Sequence, residues 1–340
     1  MKKKVLSIID IANQLNLSQS TVSFILNGKS KERRISESTA KKVLEFIEEV
    51  GYKPNLLARS FRTGKTNIIG FMVENISDPF FARVAGLIEA NAYKNGYKIL
   101  YCSTENEPAK ARELMQMFKD RRIDGYNITP TEGIKEDIDK LVNAGASVVL
   151  FDRCFETSNH DYVMLDNFQS TYNAVQHLVN QGYREIGFIT ITSLQSQMQG
   201  RLHGYEKALD DNDLHPYIKE VGFHMEDNNV VEHIVDFLTR KKKLDSIIFA
   251  TNYLGINGLK AISKMGFIIP KDLAVISFDD NVVFELHNPA ITAIAQPIEA
   301  MSEQLINILL GKLASNNKTE HKVTLPGKLI IRDSTRQKKL

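Results

Sequence analysis

From Asn67 onward the chain alternates between short apolar runs and longer segments of helical periodicity, and this alternation restricts the fold more than any other feature. The apolar runs include NIIGFMV, SVVLFD and LAVISF, whereas stretches such as STYNAVQHLVNQG have apolar residues three and four positions apart and end in Gly. Strands that alternate with helices form parallel sheets covered by helices. We therefore predict an α/β fold built on doubly wound parallel sheets.

The number of apolar runs predicts two lobes. Eight runs are too many for one compact sheet, and the pattern of residues 67–152 is repeated from residue 162 onward. Two similar lobes that face a cleft account for both observations. Ligands of such folds bind beyond the carboxyl ends of the strands, so the cleft is the expected ligand site.

The first 66 residues differ from the rest in charge. They contain thirteen Lys or Arg and six Asp or Glu, whereas residues 67–340 carry a net charge of −5. A small basic module on an acidic body predicts a polyanionic partner for the module alone. A solvated basic tail is the alternative, but a tail would lack the apolar periodicity of this segment.

Within this module, SIIDIANQLNLSQSTVSFILNG predicts two short amphipathic helices that begin after Ser7 and Ser18. Only two residues separate the helices, which makes them cross steeply, and Asn16 tolerates the left-handed backbone of such a corner. A third helix, over ISESTAKKVLEFIEEVG, is expected to begin after the N-cap Ser36 and to bury Leu44 with its other apolar residues. We interpret residues 1–53 as a helix-turn-helix DNA-binding domain, with a two-helix fragment of a larger bundle as the alternative.

Several predicted strands end in polar side chains, which we interpret as a ligand site. Carboxylates accept hydrogen bonds from hydroxyl groups, guanidinium and amide groups donate them, and aromatic rings provide apolar contact. This mixture favours a neutral, sugar-like ligand, but two arginines keep a phosphorylated or acidic sugar as the alternative. For any single Asp, capping of the next helix is the competing role. The predicted binding residues are Asp78, Phe80, Phe81, Asp152, Arg153, Arg201, Asn252 and Asp279.

The sequence has no complete motif for phosphate binding, metal binding, catalysis, secretion or membrane insertion. Gly64-Lys65-Thr66 is similar to the end of a phosphate-binding loop, but it precedes a strand and lacks the upstream glycine. Cys102 and Cys154 form no metal or redox motif, and the chain has no catalytic constellation, secretion signal or apolar run of about 18 residues. We expect a cytoplasmic protein that is not an enzyme and has no metal, cofactor or membrane partner.

Several motifs in this order resemble the lactose-repressor/galactose-repressor (LacI/GalR) family. They are IIDIANQLNLSQSTVSFILNG, GYKPNLLARSFRTGKTNIIG, DPFFARVAGLIEANAYKNG, LDNFQSTYNAVQHLVNQGYREIGFI, SFDD and ITAIAQP. The resemblance implies a homodimeric repressor of carbohydrate-utilisation genes that binds a near-palindromic operator and a sugar or sugar-phosphate effector.

The resemblance also implies a core similar to a periplasmic sugar-binding protein, in which the chain crosses between the lobes three times. On this pattern residues 54–66 form a hinge helix and linker. Lobe 1 then comprises residues 67–165 and 294–322, and lobe 2 comprises residues 166–293 and 323–340.

The family pattern assigns roles to individual residues. It places Gln19 and Ser20 on base edges and assigns phosphate contacts to Thr21, Ser23 and Asn27, which agrees with the chemistry of these side chains. Further expected DNA contacts are Ser7, Ser18, Tyr52, Asn55, Ala58, Arg59 and Phe61, and further ligand contacts are Tyr253 and Gln296.

Three positions depart from the family pattern. Phe24 stands where the family often has Arg, so we expect one DNA contact to be lost; Phe61 replaces the usual Leu that wedges between bases, and Tyr253 replaces an Asp that often helps to hold ligand. A transport solute-binding protein and a sugar-metabolising enzyme share this type of core. The basic module argues against the first, and the lack of an activated nucleophile or acid-base pair argues against the second.

Overall fold

The structure of the chain is a computed structural model, and it describes residues 6–52, 64–155, 159–314 and 319–338. The chain divides into two compact units, residues 1–66 and residues 67–340. None of the helices in the described ranges combines the length and the apolar character needed to cross a bilayer.

The first unit contains the three predicted helices, which are α1 (Ile8–Gln14), α2 (Gln19–Leu26) and α3 (Glu37–Val50). The predicted N-caps are confirmed, because the side-chain oxygens of Ser7, Ser18 and Ser36 each accept a hydrogen bond from the backbone N–H three residues later. Asn16, in the corner between α1 and α2, has the expected left-handed backbone with φ of 53°.

The core of this unit is centred on Val22 of α2 and Val43 of α3, both fully buried. The expectation that Leu44 is buried is wrong, since half of its surface is exposed. The inward face of α3 is centred on Val43, so Phe46 and Ile47, three and four residues later, pack inward. Leu44 lies about 100° round the helix from Val43 and therefore faces outward.

The first lobe of the second unit is built on one parallel sheet in the order β2-β1-β3-β4-β5-β11, with the helix α12 packed on it. Its elements are β1 (Ile68–Val73), α4 (Pro79–Lys94), β2 (Lys98–Ser103), α5 (Pro108–Asp120), β3 (Gly125–Ile128), α6 (Lys135–Asn143), β4 (Ser147–Phe151), β5 (Asp161–Leu165), α12 (Ile298–Ala314) and β11 (Lys322–Leu325).

The second lobe repeats this plan, with a sheet in the order β7-β6-β8-β9-β10-β12 in which β12 alone is antiparallel. Its elements are α7 (Asn167–Asn180), β6 (Ile186–Ile191), α8 (Ser196–Asp210), β7 (Tyr217–Val221), α9 (Asp227–Arg240), β8 (Ser246–Phe249), α10 (Asn252–Met265), β9 (Ala274–Phe278), α11 (Val282–Leu286), β10 (Thr292–Ala295), β12 (Lys328–Ile330) and a 3₁₀ turn (Asp333–Thr335). The predicted fold class is confirmed.

The chain crosses between the lobes after β5, β10 and β11. The second and third crossings come slightly later than predicted. Ile294 pairs with β12 and β9 in the second sheet, and β11 continues to Leu325 beside β5 in the first sheet. Strand pairing, which the sequence does not display, therefore decides where each lobe ends.

Close packing positions the start of α10 at the cleft. Gly258 lies against the ring of Phe249, and a Cβ atom at this glycine would overlap the ring. The helix can therefore approach β8 closely, and its first residue, Asn252, emerges directly from the carboxyl end of that strand.

Candidate functional site

The front of α2 presents hydroxyl and amide groups on the surface of the first unit. Gln19 and Ser20 are exposed, and the Ser18 hydroxyl oxygen lies 2.8 Å from the hydroxyl oxygens of both Ser20 and Thr21. Val22 and Ile25 hold the helix on the core by its opposite face. The first turn is therefore free to project its polar side chains outward.

Three other predicted DNA contacts on this unit lie at or next to helix ends: Ser7, Asn27 and Tyr52. Asn27, at the end of α2, donates from Nδ2 to the Ser23 carbonyl oxygen over 2.6 Å. Ser7 and Asp10 form a capping box at the start of α1. Tyr52 is half-buried against the helical core, and this burial raises the pKa of its hydroxyl. The predicted contacts Asn55, Ala58, Arg59 and Phe61 lie outside the described residues.

All ten predicted ligand-binding residues line one cavity between the two lobes of the second unit. The cavity has a volume of about 50 Å³ and adjoins a larger one of about 450 Å³. Both are lined by Phe80, Asn252, Asp279 and Gln296, so they are the inner and outer parts of one cleft. The inner part is well below the ~300 Å³ of typical small-molecule sites. In this arrangement the cleft is closed around its charged groups.

The wall from the first lobe is organised by Arg153, which is only 3% exposed. Its Nε donates to Asp152 over 3.1 Å, its Nη1 to Asn106 over 3.2 Å and its Nη2 to Glu74 over 2.7 Å. Asn106 also donates to Glu74 over 2.7 Å. Each of the three guanidinium nitrogens therefore already has an acceptor.

The wall from the second lobe is organised by Arg201, which is equally buried. Its Nε donates to Asn167 over 2.8 Å and its Nη1 to the Ala250 carbonyl oxygen over 2.6 Å, and its guanidinium carbon lies 3.9 Å from the centre of the Phe278 ring. These contacts fix the guanidinium group against the sheet.

Two aspartates occupy equivalent positions in the lobes. Asp152 follows β4 and Asp279 follows β9, and both have left-handed backbones, with φ of 69° and 61°. Backbone of this kind is strained for residues other than Gly and is concentrated at functional sites. Burial raises the pKa of both carboxyl groups, and this is opposed by Arg153 and Arg201 near Asp152 and by Arg201 and Gln296 near Asp279.

The two lobes are joined across the cleft by hydrogen bonds of the protein itself. Asn252 Nδ2 donates to Asp78 over 3.1 Å, and Gln195 Nε2 donates to Asn106 over 3.1 Å. Backbone N–H groups add two more bonds, from Cys154 to the Ser196 hydroxyl and from Leu194 to the Glu132 carboxylate. Burial raises the pKa of Asp78, although Phe80 N–H and Asn252 both donate to it.

The aromatic residues of the site are already packed. Phe80 stacks on Phe151, with ring centres 5.8 Å apart and planes inclined by 9°, and Phe81 meets Phe151 edge to face. One face of Phe80 is therefore unavailable to a ligand. Tyr253 lines the inner cavity, where burial raises the pKa of its hydroxyl.

Sequence reasoning missed polar residues of the site, of which Glu74, Asn106 and Gln195 make the contacts described above. Glu74 directly follows β1, so the strand-end rule that identified Asp152 would have identified it too. Asn106 and Gln195 lie in loops, and no sequence signal indicates that they meet across the cleft. In the described part of the chain, no cluster of three or more His, Cys, Asp or Glu is placed to hold a metal ion.

A helix-turn-helix unit followed by a two-lobed core with a polar cleft defines a DNA-binding regulator with a ligand-binding domain. Profiles of known families agree with this description. Residues 7–55 match the bacterial regulatory proteins of the lacI family, and residues 175–335 match a periplasmic binding protein-like domain. The chain belongs to the lacI family of bacterial regulatory proteins.

Similar proteins match the chain over almost its whole length. The NTD biosynthesis operon regulator NtdR of Bacillus subtilis (strain 168) is 32% identical over 337 residues, which cover 97% of this chain and 99% of the relative. The HTH-type transcriptional repressor PurR of Haemophilus influenzae (strain PittEE) is 26% identical over 336 residues, covering 97% and 98%.

A solved structure supports the fold of the core. The periplasmic binding protein/LacI transcriptional regulator of Alkaliphilus metalliredigens QYMF, complexed with D-xylulofuranose, is 26% identical to this chain. The TM-score is 0.71, and the match covers 79% of this chain and 98% of the other.

Proposed function

We propose that the protein is a homodimeric repressor of carbohydrate-utilisation genes, with a neutral sugar or closely related polyol as its effector in the cleft. The observation that carries the effector proposal is the composition of the inner cavity. Carboxylate, guanidinium and amide groups from the carboxyl ends of several strands line it together, and Phe80 adds an apolar surface. Such a set matches a ligand with many hydroxyl groups.

The charge of this cavity favours a neutral effector over a phosphorylated one. Its lining contains four carboxyl groups, from Glu74, Asp78, Asp152 and Asp279, but only the two guanidinium groups of Arg153 and Arg201. Both arginines already have acceptors within the protein. A phosphate group would meet an excess of carboxylates, and five of the six guanidinium nitrogens already donate to acceptors within the protein, so its desolvation would be poorly compensated. Glu74 thus weakens the sugar-phosphate alternative suggested by the two arginines.

The relatives support the regulatory part of the proposal. NtdR is described as an operon regulator and PurR as a transcriptional repressor. The protein from Alkaliphilus metalliredigens was solved with a sugar. For this chain, the exposed first turn of α2, with Gln19 and Ser20, is suited to base edges of an operator.

Dimerisation follows from the size of the DNA-binding unit. One recognition helix of eight residues contacts too few base pairs for useful specificity, and a two-fold dimer doubles the site and requires a near-palindrome. Sedimentation of the full chain at micromolar concentration, with and without operator DNA, tests this. A monomer under both conditions would contradict it.

The effector acts on DNA binding only through its different affinity for the two lobe arrangements. A tenfold to hundredfold change in operator affinity needs about 1.4–2.7 kcal/mol of such coupling. A ligand that bonds to both walls replaces or reinforces the direct bonds between Asn252 and Asp78 and between Gln195 and Asn106. The effector therefore has the means to favour one arrangement.

A thermal-shift screen of the full chain against neutral sugars, amino sugars and sugar phosphates tests the effector class. A ligand at about 100 times its dissociation constant adds about 2.7 kcal/mol of stability. Operator duplexes selected from a randomised pool then report whether the same compound changes DNA affinity. If only sugar phosphates stabilise the protein, the proposal of a neutral effector is wrong. If a compound is chemically altered after incubation with the protein, the protein is an enzyme.

A further inference from the structure

The ring of Phe24 is a surface feature of α2. Its side chain is half-buried, yet it is absent from the apolar cluster formed by Ile11, Val22, Ile25 and Val43 and their neighbours. The group that covers it is the guanidinium of Arg33, whose central carbon lies 4.7 Å from the ring centre. Phe24 therefore serves as a platform for an arginine and does not pack into the core.

Arg33 belongs to a basic turn that joins α2 to α3. The turn contains Lys29, Lys31, Arg33 and Arg34 with Glu32 as its one carboxylate, and the Arg33 N–H bonds to the Lys29 carbonyl oxygen over 3.0 Å. Lys29 in turn donates its N–H to the Phe24 carbonyl oxygen over 2.9 Å. These backbone bonds hold the turn beside the helix, so the ring contact adds to a fixed local geometry.

The guanidinium donors of Arg33 make no hydrogen bond within residues 6–52, although the side chain is held in place. The side chain is exposed, and the guanidinium group makes no hydrogen bond or ion pair there; its contact is with the ring. A guanidinium group over an aromatic ring keeps its N–H groups available at its edges, in the fork geometry that binds two oxygens of a phosphate. An exposed arginine ordinarily loses rotamer freedom when it binds a partner, and here part of that cost is already met by the platform.

The position of the ring shows which surface this arginine extends. Ser20, Phe24 and Asn27 are spaced by four and three residues, so they form one stripe along α2. The stripe begins at the polar front, which suits base edges, and Arg33 lies over Phe24, more than one helical turn further along. Backbone phosphates border a groove at its edges.

We propose that Arg33 binds a phosphate of the DNA backbone at the edge of the groove that α2 enters, and that Phe24 is the positioning residue for this contact. The contact fixes the orientation of the recognition helix and is independent of base sequence. This rests on the DNA-binding function of the family and is separate from the roles assigned to Gln19 and Ser20.

The test uses the full-length protein with two duplexes, one of random sequence and one selected by the wild-type protein from a randomised pool. Arg33→Ala should weaken binding to both duplexes by the same factor, roughly tenfold for the loss of a charge-assisted bond. The slope of log affinity against log salt concentration should fall by about 0.9. Arg33→Lys should keep the salt slope and lose part of the affinity, because it retains the charge without the fork.

The Phe24→Leu variant tests whether the ring positions Arg33, because it removes the ring and leaves the arginine that contacts the phosphate. Leu keeps an apolar side chain but lacks the ring, so it should weaken binding to both duplexes less than Arg33→Ala does, and it should have no further effect in an Arg33→Ala background. Lys42→Ala, which removes a positive charge from the exposed side of α3, is the matched control and should leave the salt slope unchanged.

Two outcomes would overturn the proposal. Wild-type affinity and salt slope for Arg33→Ala on both duplexes would show that the arginine does not touch DNA. A loss confined to the selected duplex would show that it reads a base. Thermal melts of each variant establish that the first unit is folded before binding is compared.

Discussion

Asn252 Nδ2 donates to both carboxylate oxygens of Asp78, at 3.1 and 3.3 Å, and these two residues belong to different lobes. Asp78 caps α4 by accepting the Phe80 N–H over 2.8 Å, and Asn252 is the first residue of α10. One neutral amide thus joins two helix starts across the cleft, at the place where we expect the effector to bind.

Asn252→Asp should open the cleft at high pH and leave it closed at low pH. The substitution puts a second carboxyl group next to Asp78, whose pKa burial already raises. Two carboxylates this close repel each other, so ionisation of both at high pH favours separation of the lobes. Acidification protonates one of them and restores a hydrogen-bond donor. Pulsed EPR between spin labels at positions 93 and 243, in a background without the native cysteines, measures the separation of the lobes at pH 8 and pH 5.

The neutral Asn252→Ser variant is the control for this experiment. It loses the long amide but introduces no charge, so its distance distribution should not depend on pH between these values. Identical distributions for Asn252→Asp at both pH values would show that this contact does not govern closure.

Arg153→Ala should destabilise the second unit by about 3–5 kcal/mol, because Glu74 and Asp152 lose their common partner in a buried site. Urea unfolding measures the loss. The double variant Glu74→Gln/Arg153→Met, which removes one carboxylate together with the guanidinium group, should recover part of it. Equal destabilisation of the two variants would mean that the loss comes from packing and not from an uncompensated charge.

Asp279→Asn should weaken the effector by about tenfold or more, since a hydrogen bond to a charged group contributes about 1.5–3 kcal/mol. Asn tolerates the left-handed backbone at this position, so the change isolates the charge. Calorimetry with the compound identified by the sugar screen measures it, and operator affinity without effector should stay at the wild-type value. Asp213→Asn, at an exposed residue with φ of 54°, is the matched control. An unchanged dissociation constant would make Asp279 purely structural.

Gln19→Ala should weaken a selected operator by about 1–3 kcal/mol and leave random-sequence binding nearly unchanged, because the Gln amide is exposed on the first turn of α2. Fluorescence anisotropy with both duplexes measures this difference. Gln14→Ala, on the exposed side of α1, should affect neither duplex. Equal losses of Gln19→Ala on the two duplexes would remove its role in sequence recognition.

His177 should make the protein less stable as the pH falls below about 6.5. Its Nε2 lies 2.9 Å from the Thr335 hydroxyl oxygen, and burial lowers the pKa of the imidazole. Between that lowered value and about 6.5 the unfolded chain binds more protons than the folded one, so stability rises with pH across this window and is lost on acidification.

The measurement is urea unfolding at pH 7.5 and pH 5.5. His177→Gln should lose less stability between the two values than the wild type, whereas His203→Gln, at an exposed position, should lose as much as the wild type. A wild-type pH dependence in the His177 variant would contradict the assignment.

The sequence predicts the parts of this molecule that local physics determines. Ser7, Ser18 and Ser36 are recognisable as caps because a cap needs only its own turn, and buried parallel strands such as β1, β4 and β9 are recognisable as apolar runs. Three of the edge strands, β7, β11 and β12, have mainly exposed or half-buried side chains and gave no such signal.

The strand-end argument predicted eight of the ten cavity side chains, because carboxyl ends of parallel strands share an edge, and the family pattern added Tyr253 and Gln296. The hydrogen-bond partners of these side chains could not be predicted in this way. Asn106 reaches Arg153 and Gln195 from distant positions in the chain, and the stack of Arg33 on Phe24 depends on the path of a turn. Such contacts arise from tertiary packing, which periodicity does not encode.

The three crossings after β5, β10 and β11 have a mechanical consequence. Two lobes linked by a single segment can twist and slide against each other as well as bend, whereas three linking segments restrict twisting and sliding. Hinge bending about the three crossings is then the motion of the core that costs the least energy. A protease cut in any one crossing divides the chain into two fragments that still share a sheet, through β5 with β11 or β10 with β12. The nicked protein should therefore stay a single particle in native chromatography while separating into fragments in detergent.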